Sequence, residues 1–156
     1  VISPVTTKFS KRDVEELCRL TKSWKPVYII NDNEVNKEGE KGALLTAETL
    51  FSSGRDVRIV TLPKPLNVEK VDLADFLNVP SDQKETRLAE LKQLKSEAPD
   101  FIEWKINEVT ELPDREKPEG TRKILIALTS VEDKLKLTRY AEKMQSVGLV
   151  TGKRLF

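Results

Sequence analysis

Two carboxylates, Asp32 and Glu34, stand two residues apart directly after the apolar run Val27-Tyr28-Ile29-Ile30. Carboxylates that alternate with a small polar residue can converge on one hard cation. Mg²⁺ takes oxygen ligands and is typically held by one or two carboxylates together with waters and substrate phosphates. The rest of the composition pushes the chemistry the same way. With no His, a Ser-His-Asp triad, a Cys-His dyad and a His-ligated zinc site are excluded. With Cys18 as the one cysteine, an internal disulfide and a Cys₄ zinc site are excluded too. Catalysis, where there is any, falls to carboxylates, Lys and Arg, hydroxyls or a hard metal, and Mg²⁺ or Mn²⁺ suits such a donor set best. The same residues also allow a purely local reading. Asn31 and Asp32 can hydrogen-bond their own backbone in an Asx-turn, with Glu34 a favourable charge near a helix N-terminus. The spacing leaves both readings open.

Cations surround this turn in sequence. Lys22 and Lys25 precede the apolar run, and Lys37 and Lys41 follow the acids, placed to meet phosphates. Lys37 and Lys41 fall at a helix start, where the helix dipole disfavours positive charge. The formal net charge of +1 hides a polarity, because Thr121–Phe156 holds 8 basic residues against 3 acidic ones. Lys134, Lys136, Arg139 and Lys143 lie there on one predicted helix, with Lys153 and Arg154 beyond it. They either track a phosphate backbone or solvate a surface. Trp24 and Trp104 could stack on bases, but both adjoin apolar helical positions and core packing is the expectation. Cys18 is expected as a small core residue.

The elements that must position these residues can be read from the hydrophobic pattern. The chain has 156 residues, of which 38% are hydrophobic and 34% charged, which suits a globular domain with a real core rather than a disordered chain. Ser10 is a good N-cap with Asp13 three residues on, and Val14, Leu17, Cys18 and Leu20 give a helical stripe. Val27–Ile30 reads as a strand buried on both faces, as in a parallel sheet. A helix follows from about Gly39 to Ser52, and then a strand from Val57 to Leu62. Strand, helix and strand make a right-handed βαβ unit, and ligands of open α/β sheets bind at the carboxyl ends of the strands, where Asp32 and Glu34 fall. After Pro80 the character changes. Leu88, Leu91 and Leu94 mark a helix between Asp82 and Ala98, and Pro99-Asp100 restarts one with Phe101, Ile102, Ile106 and Val109. A charged loop spans Leu112–Gly120, a weak strand signal covers Ile124–Leu128, and a last helix runs from Val131 to Gln145. The expected architecture is an α/β domain over residues 1–80 followed by a helical subdomain over 81–156. No membrane span or signal peptide is visible, and the cysteine usage agrees with a reducing, cytoplasmic setting. A start at Val1 rather than Met suggests part of a longer protein.

The ordered series Asp32-Asn33-Glu34, Gly39, Gly42-Ala43, the strand closed by Leu62-Pro63, and Val71-Asp72-Leu73-Ala74-Asp75-Phe76-Leu77 resembles the Toprim domain of bacterial-type DNA primases, topoisomerases and some nucleases. Ala98-Pro99-Asp100-Phe101-Ile102-Glu103-Trp104, Pro118-Glu119-Gly120-Thr121, Arg139-Tyr140-Ala141 and Val147-Gly148-Leu149 are similar to the helical subdomain behind Toprim in the primase catalytic core, of the kind found in bacterial, phage or plasmid replication. The resemblance implies a Rossmann-like parallel sheet, here without its first strand. It implies metal-dependent nucleotidyl transfer that makes RNA primers on single-stranded DNA. Asp32 and Glu34 take the places of the catalytic, metal-binding acids, with Glu for the usual second Asp. Asp72 is a third metal ligand, although Asp75 could be its counterpart. The cofactor is Mg²⁺ or Mn²⁺. Lys37, Lys41, Lys136 and Arg139 are the implied nucleic-acid contacts, and the implied partners are a single-stranded DNA template, nucleoside triphosphates and a replicative helicase. The family's catalytic Glu would lie upstream of Ser3-Pro4, so the chain alone is expected to be inactive. The run from Val35 to Glu38 is longer than the family's. Two rival readings are a Toprim-type nuclease and a non-catalytic module that binds DNA or a helicase.

Overall fold

In the computed structural model of the chain, which describes residues 9–35 and 38–151, the first helix, α1 (Lys11–Leu20), begins where Ser10 and Asp13 close a capping box. The Asp13 amide donates to Ser10 Oγ at 3.3 Å and the Ser10 amide to Asp13 Oδ2 at 3.1 Å, so two amides that the helix leaves without partners are satisfied reciprocally. Thr21, fully buried just past the helix end, donates its hydroxyl to the Leu17 carbonyl at 2.8 Å.

The next elements form the expected strand–helix–strand unit. Strand β1 (Val27–Asn31) pairs in parallel with β3 (Val57–Thr61), in register from Val27 opposite Val57 to Asn31 opposite Thr61. Helix α2 (Glu38–Ser52) connects them and packs on both. Its core face carries Ala47 and Leu50, and Gly54 ends the segment at φ 75°, in the left-handed region that favours glycine. Strand β3 is the more buried of the pair: Val57, Ile59 and Val60 are buried, and Leu62 just beyond it is fully enclosed. The expectation that Val27–Ile30 is buried on both faces holds for Val27 only. Tyr28, Ile29 and Ile30 are half-buried. The Tyr28 ring is instead covered by the Lys95 ammonium, 4.5 Å from its centroid.

A second ladder was not legible as strands. Asn33–Glu34 (β2) pairs antiparallel with Lys70–Val71 (β4), Asn33 opposite Val71 and Glu34 opposite Lys70. Two residues are too few for an alternation to register. Helix α3 (Leu73–Leu77) and, after a 3₁₀ turn at Ser81–Gln83, helix α4 (Lys84–Glu97) follow. Leu62, Val71 and Phe76 form a buried cluster with Ile30, Leu73, Leu77, Leu91 and Leu94 around it. This cluster anchors β4 and α4 beneath the sheet edge that bears the acids. The chain divides into two compact units at Pro99–Asp100, and α4 packs on β3 and α3 within the first of them.

The second unit is helical: α5 (Phe101–Thr110), α6 (Lys117–Leu128) and α7 (Lys134–Ser146). Its core is Phe101, Ile102, Ile106, Val109, Ile124, Leu128, Tyr140 and Met144. The segment expected as a loop up to Gly120 with a weak strand at Ile124–Leu128 is one helix from Lys117. Pro118 sits in the first turn, where the missing amide hydrogen costs nothing. Thr121, Ile124 and Leu128 are buried at helical spacing. Gly120 is there for space, since a Cβ at this position would lie 2.7 Å from Val109 Cγ2 of α5. Trp24, expected in the core, is 42% exposed, and Trp104 is half-buried. Among the described residues no helix is long and apolar enough to cross a membrane.

Candidate functional site

The acidic turn lies at the carboxyl end of β1, on the edge where the sheet opens to solvent. Asn33 fixes it: its side-chain amide donates to the Leu62 carbonyl at the end of β3, at 2.7 Å. With Asn33 turned to the sheet, the flanking carboxylates reach other partners. Asp32 Oδ2 meets the Lys70 ammonium at 2.7 Å, and Glu34 Oε1 accepts the Gly39 amide of α2 at 2.6 Å. Glu34 thus holds an orphan amide at the start of α2, the favourable place for an anion. Gly39 permits the close approach, because a Cβ there would meet Asp32 Cβ and Glu34 Oε1, both at 3.3 Å.

The β2–β4 ladder brings Asp72 to the same edge. Asp72 is the N-cap of α3, its Oδ1 accepting the Asp75 amide at 2.7 Å, while Asp75 Oδ2 accepts the Asp72 amide at 3.3 Å. The two residues between which the sequence could not choose are therefore the two halves of one capping box.

Lys70 is the residue that sequence reasoning missed. Its ammonium is held above the usual lysine range, first by the hydrogen bond from Lys70 to Asp32 and then by the charge of Asp32, with Glu34 and Asp72 adding to it. The three candidate acids thus share one electrostatic neighbourhood, centred on a lysine. No spacing rule could have found it, because residue 70 reaches residue 32 through a pairing of strands 36 positions apart, set by the Glu34–Lys70 register.

Among the described residues no group of three or more His, Cys, Asp or Glu side chains is gathered closely enough to hold a metal ion. The donor set nonetheless suits a hard divalent cation of the kind bound through one or two carboxylates and otherwise by water and phosphate. Its oxygens would come from Asp32 and Glu34, which both border Gly39. A cation, the Lys70 ammonium, already rests on Asp32, and Gly39 leaves the turn uncrowded.

The predicted nucleic-acid contacts divide. Lys37 lies outside the described residues. Lys41 is exposed on α2 and Lys136 half-buried on α7. Arg139 is engaged within the second unit: its Nη2 donates to Asp100 Oδ2 at 2.6 Å, and its Nε lies 3.5 Å from Glu103 Oε1. Burial works against the guanidinium's charge, but Glu103 and Asp100 outweigh it and hold Arg139 above its usual range. Asp100, itself buried, also accepts the Tyr140 hydroxyl at 2.9 Å and the Glu103 amide at 3.0 Å. Burial first, then the charge and hydrogen bond of Asp100, push the Tyr140 phenol well up. Cys18, expected in the core, is half-buried, with its Sγ 3.4 Å from Ser53 Oγ.

No family model and no curated protein sequence matches the chain. Among solved structures it is similar to the crystal structure of the Aquifex aeolicus primase, zinc-binding and RNA polymerase domains. The TM-score is 0.58 and the identity 25%, over 88% of this chain and 30% of that one. The chain therefore has a primase-like fold, and it spans less than a third of the primase chain it resembles.

Proposed function

We propose that the chain forms part of a DNA primase catalytic core of Toprim type, which makes RNA primers on single-stranded DNA by metal-dependent nucleotidyl transfer. The observation that carries this reading is the likeness to a primase over 88% of the chain, through the α/β unit and the helical unit alike. In this reading Asp32 and Glu34, with Asp72 beside them, hold Mg²⁺ or Mn²⁺. The ion supplies charge neutralisation for the phosphates of an incoming nucleoside triphosphate and for attack by the primer's 3′-hydroxyl. The protein's own contribution is geometry. Asn33 locks the turn to β3, Gly39 lets α2 approach, and the β2–β4 ladder sets Lys70 against Asp32 with Asp72 two residues beyond it. Lys41 and Lys136 offer charge to phosphate. Arg139 serves the template indirectly, by fixing α7 to the start of α5. A replicative helicase that exposes the single-stranded template is the further partner this reading proposes.

Calorimetric titration of Mn²⁺ at low salt into the chain and into its Asp32→Asn/Glu34→Gln variant tests the metal site. Binding by the wild type that the variant loses supports the reading. Equal binding by both removes the acids from it. Labelled single-stranded DNA incubated with Mn²⁺ and the full-length parent protein, with and without nucleoside triphosphates, separates polymerisation from the cleavage that a Toprim-type nuclease would give.

One observation favours a second reading, a non-catalytic module that binds DNA or a helicase. Asp32, Glu34 and Asp72 each already have a protein donor, Lys70, Gly39 and Asp75. Binding of single-stranded DNA that is salt-sensitive and indifferent to Mg²⁺ is its signature.

A further inference from the structure

The backbone around Lys70 is pinned on three sides. The carbonyl of Glu69 accepts the Val35 amide at 3.2 Å, Val71 is buried in the cluster with Leu62 and Phe76, and Asp72 caps α3. The side chain is not so enclosed. It is 49% exposed and Asp32 is 39% exposed, and they meet at 2.7 Å. An ion pair so open to water is weak, so a better cation can displace it. Lysine suits such a role, since its ammonium is a compact point charge on a flexible four-carbon stem. The Glu34–Lys70 register fixes the stem's origin beside the acids, so the ammonium stays within reach of Asp32 after it lets go.

We infer that Lys70 is a tethered competitor of the divalent cation: its ammonium occupies Asp32 when no metal is bound, and must leave Asp32 before a metal ion can bind there. The inference rests on the proposed metal site at Asp32 and Glu34, and gives that site a built-in threshold. A monovalent ion gains little over the resident ammonium, whereas a divalent ion carries twice the charge and displaces it. Without metal the acids are partly neutralised, which keeps Asp32 and Glu34 from repelling one another across the turn.

The test is calorimetric titration of Mn²⁺ at low salt into the whole chain as wild type, Lys70→Met, Lys70→Gln and Lys70→Arg, with circular dichroism to establish that each is folded. Removing a positive charge a few ångströms from a divalent ion in high dielectric is expected to tighten binding about five- to tenfold. Lys70→Met and Lys70→Gln both gain this affinity, and two neutral side chains of different polarity guard against a local folding defect in either. Lys70→Arg keeps the charge and stays within about twofold of wild type. Binding seen in Lys70→Met but too weak to detect in the wild type also supports the inference. Metal binding that is equal or weaker in both neutral variants overturns the competitor role while leaving the metal site standing. No binding in the wild type or in either neutral variant overturns the metal site and the competitor together.

Discussion

Arg139 of α7 and Asp100, the N-cap of α5, are joined at 2.6 Å, although 39 residues separate them in sequence. Asp100 performs three tasks with one carboxylate. It caps α5 through the Glu103 amide, receives the Tyr140 hydroxyl, and pairs with Arg139. A buried carboxylate is costly unless it is paired and hydrogen-bonded, and here each requirement is met from a neighbouring helix. The second unit is thereby tied at the point where α5 begins.

Replacing Asp100 with Ala removes the cap and leaves the Tyr140 hydroxyl buried without an acceptor. The expected loss is about 2–4 kcal/mol. Arg139→Ala leaves the buried Asp100 carboxylate with the Tyr140 hydroxyl and the Glu103 amide but without its countercharge, and a loss of about 1–3 kcal/mol is expected. Urea unfolding followed by the fluorescence of Trp104, in α5, reads this unit directly with Trp24→Phe as background. Unchanged stability in Arg139→Ala would show that the guanidinium is spare, and would return it to the set of direct nucleic-acid contacts.

The same network sets a pH dependence. The folded Tyr140 phenol ionises above its ordinary value of 10.0, so the folded state holds a proton that the unfolded chain has released. Its contribution is complete below the unfolded value and is lost as pH rises toward the folded one. Thermal unfolding is therefore expected to shift down as pH rises above about 10, and less steeply in Tyr140→Phe. Lys70 in the first unit acts in the same direction, since its ammonium too is favoured by the fold. An alkaline slope identical in wild type and Tyr140→Phe would place the dependence elsewhere.

Gly120 and Val109 set how closely α6 approaches α5. With 2.7 Å and 2.9 Å to the two Val109 methyl carbons, a Cβ at residue 120 cannot be accommodated without displacement. Gly120→Ala is expected to cost about 1–3 kcal/mol despite alanine's better helix propensity. The double variant Gly120→Ala/Val109→Ala should recover part of that cost relative to the sum of the two single changes. Strict additivity would mean the two positions do not press on each other.

What the sequence discloses and what it hides follows the range of the interactions. Ser10 with Asp13, the apolar runs at β1 and β3, and the helix between them are all decided within a few residues, and all are legible as hydrophobic period or capping chemistry. The position of Asp32 and Glu34 past the end of β1 follows from those. By contrast, α6 was obscured because Pro118 and Gly120 are usually breakers. Here one occupies the first turn and the other faces Val109, two circumstances that only tertiary packing defines. Trp24 resembles a core residue in sequence, yet it follows the end of α1 in a turn that turns its ring outward. The Lys70–Asp32 pair lies furthest from view, since it depends on a two-residue ladder with no pattern of its own. The Arg139–Asp100 pair is similar: each residue has an ordinary local reading, a helix-face cation and an N-cap, and neither reading mentions the other.

Gly39 offers a way to separate the architecture of the acidic turn from its chemistry. It lies in the first turn of α2, and alanine there would favour the helix by up to about 1 kcal/mol. Its Cβ would also press on Asp32 Cβ and Glu34 Oε1 at 3.3 Å, closer than an ordinary contact, and Glu34 is the group able to give way. Gly39→Ala is therefore expected to keep thermal stability within about 1 kcal/mol of wild type while loosening the Glu34–Gly39 hydrogen bond. If Glu34 helps Asp32 hold a divalent ion, Mn²⁺ affinity falls several-fold in this variant with no loss of fold. Unaltered affinity at unaltered stability would mean that Glu34 serves only the start of α2, and that any ion at this edge is held by Asp32 and Asp72.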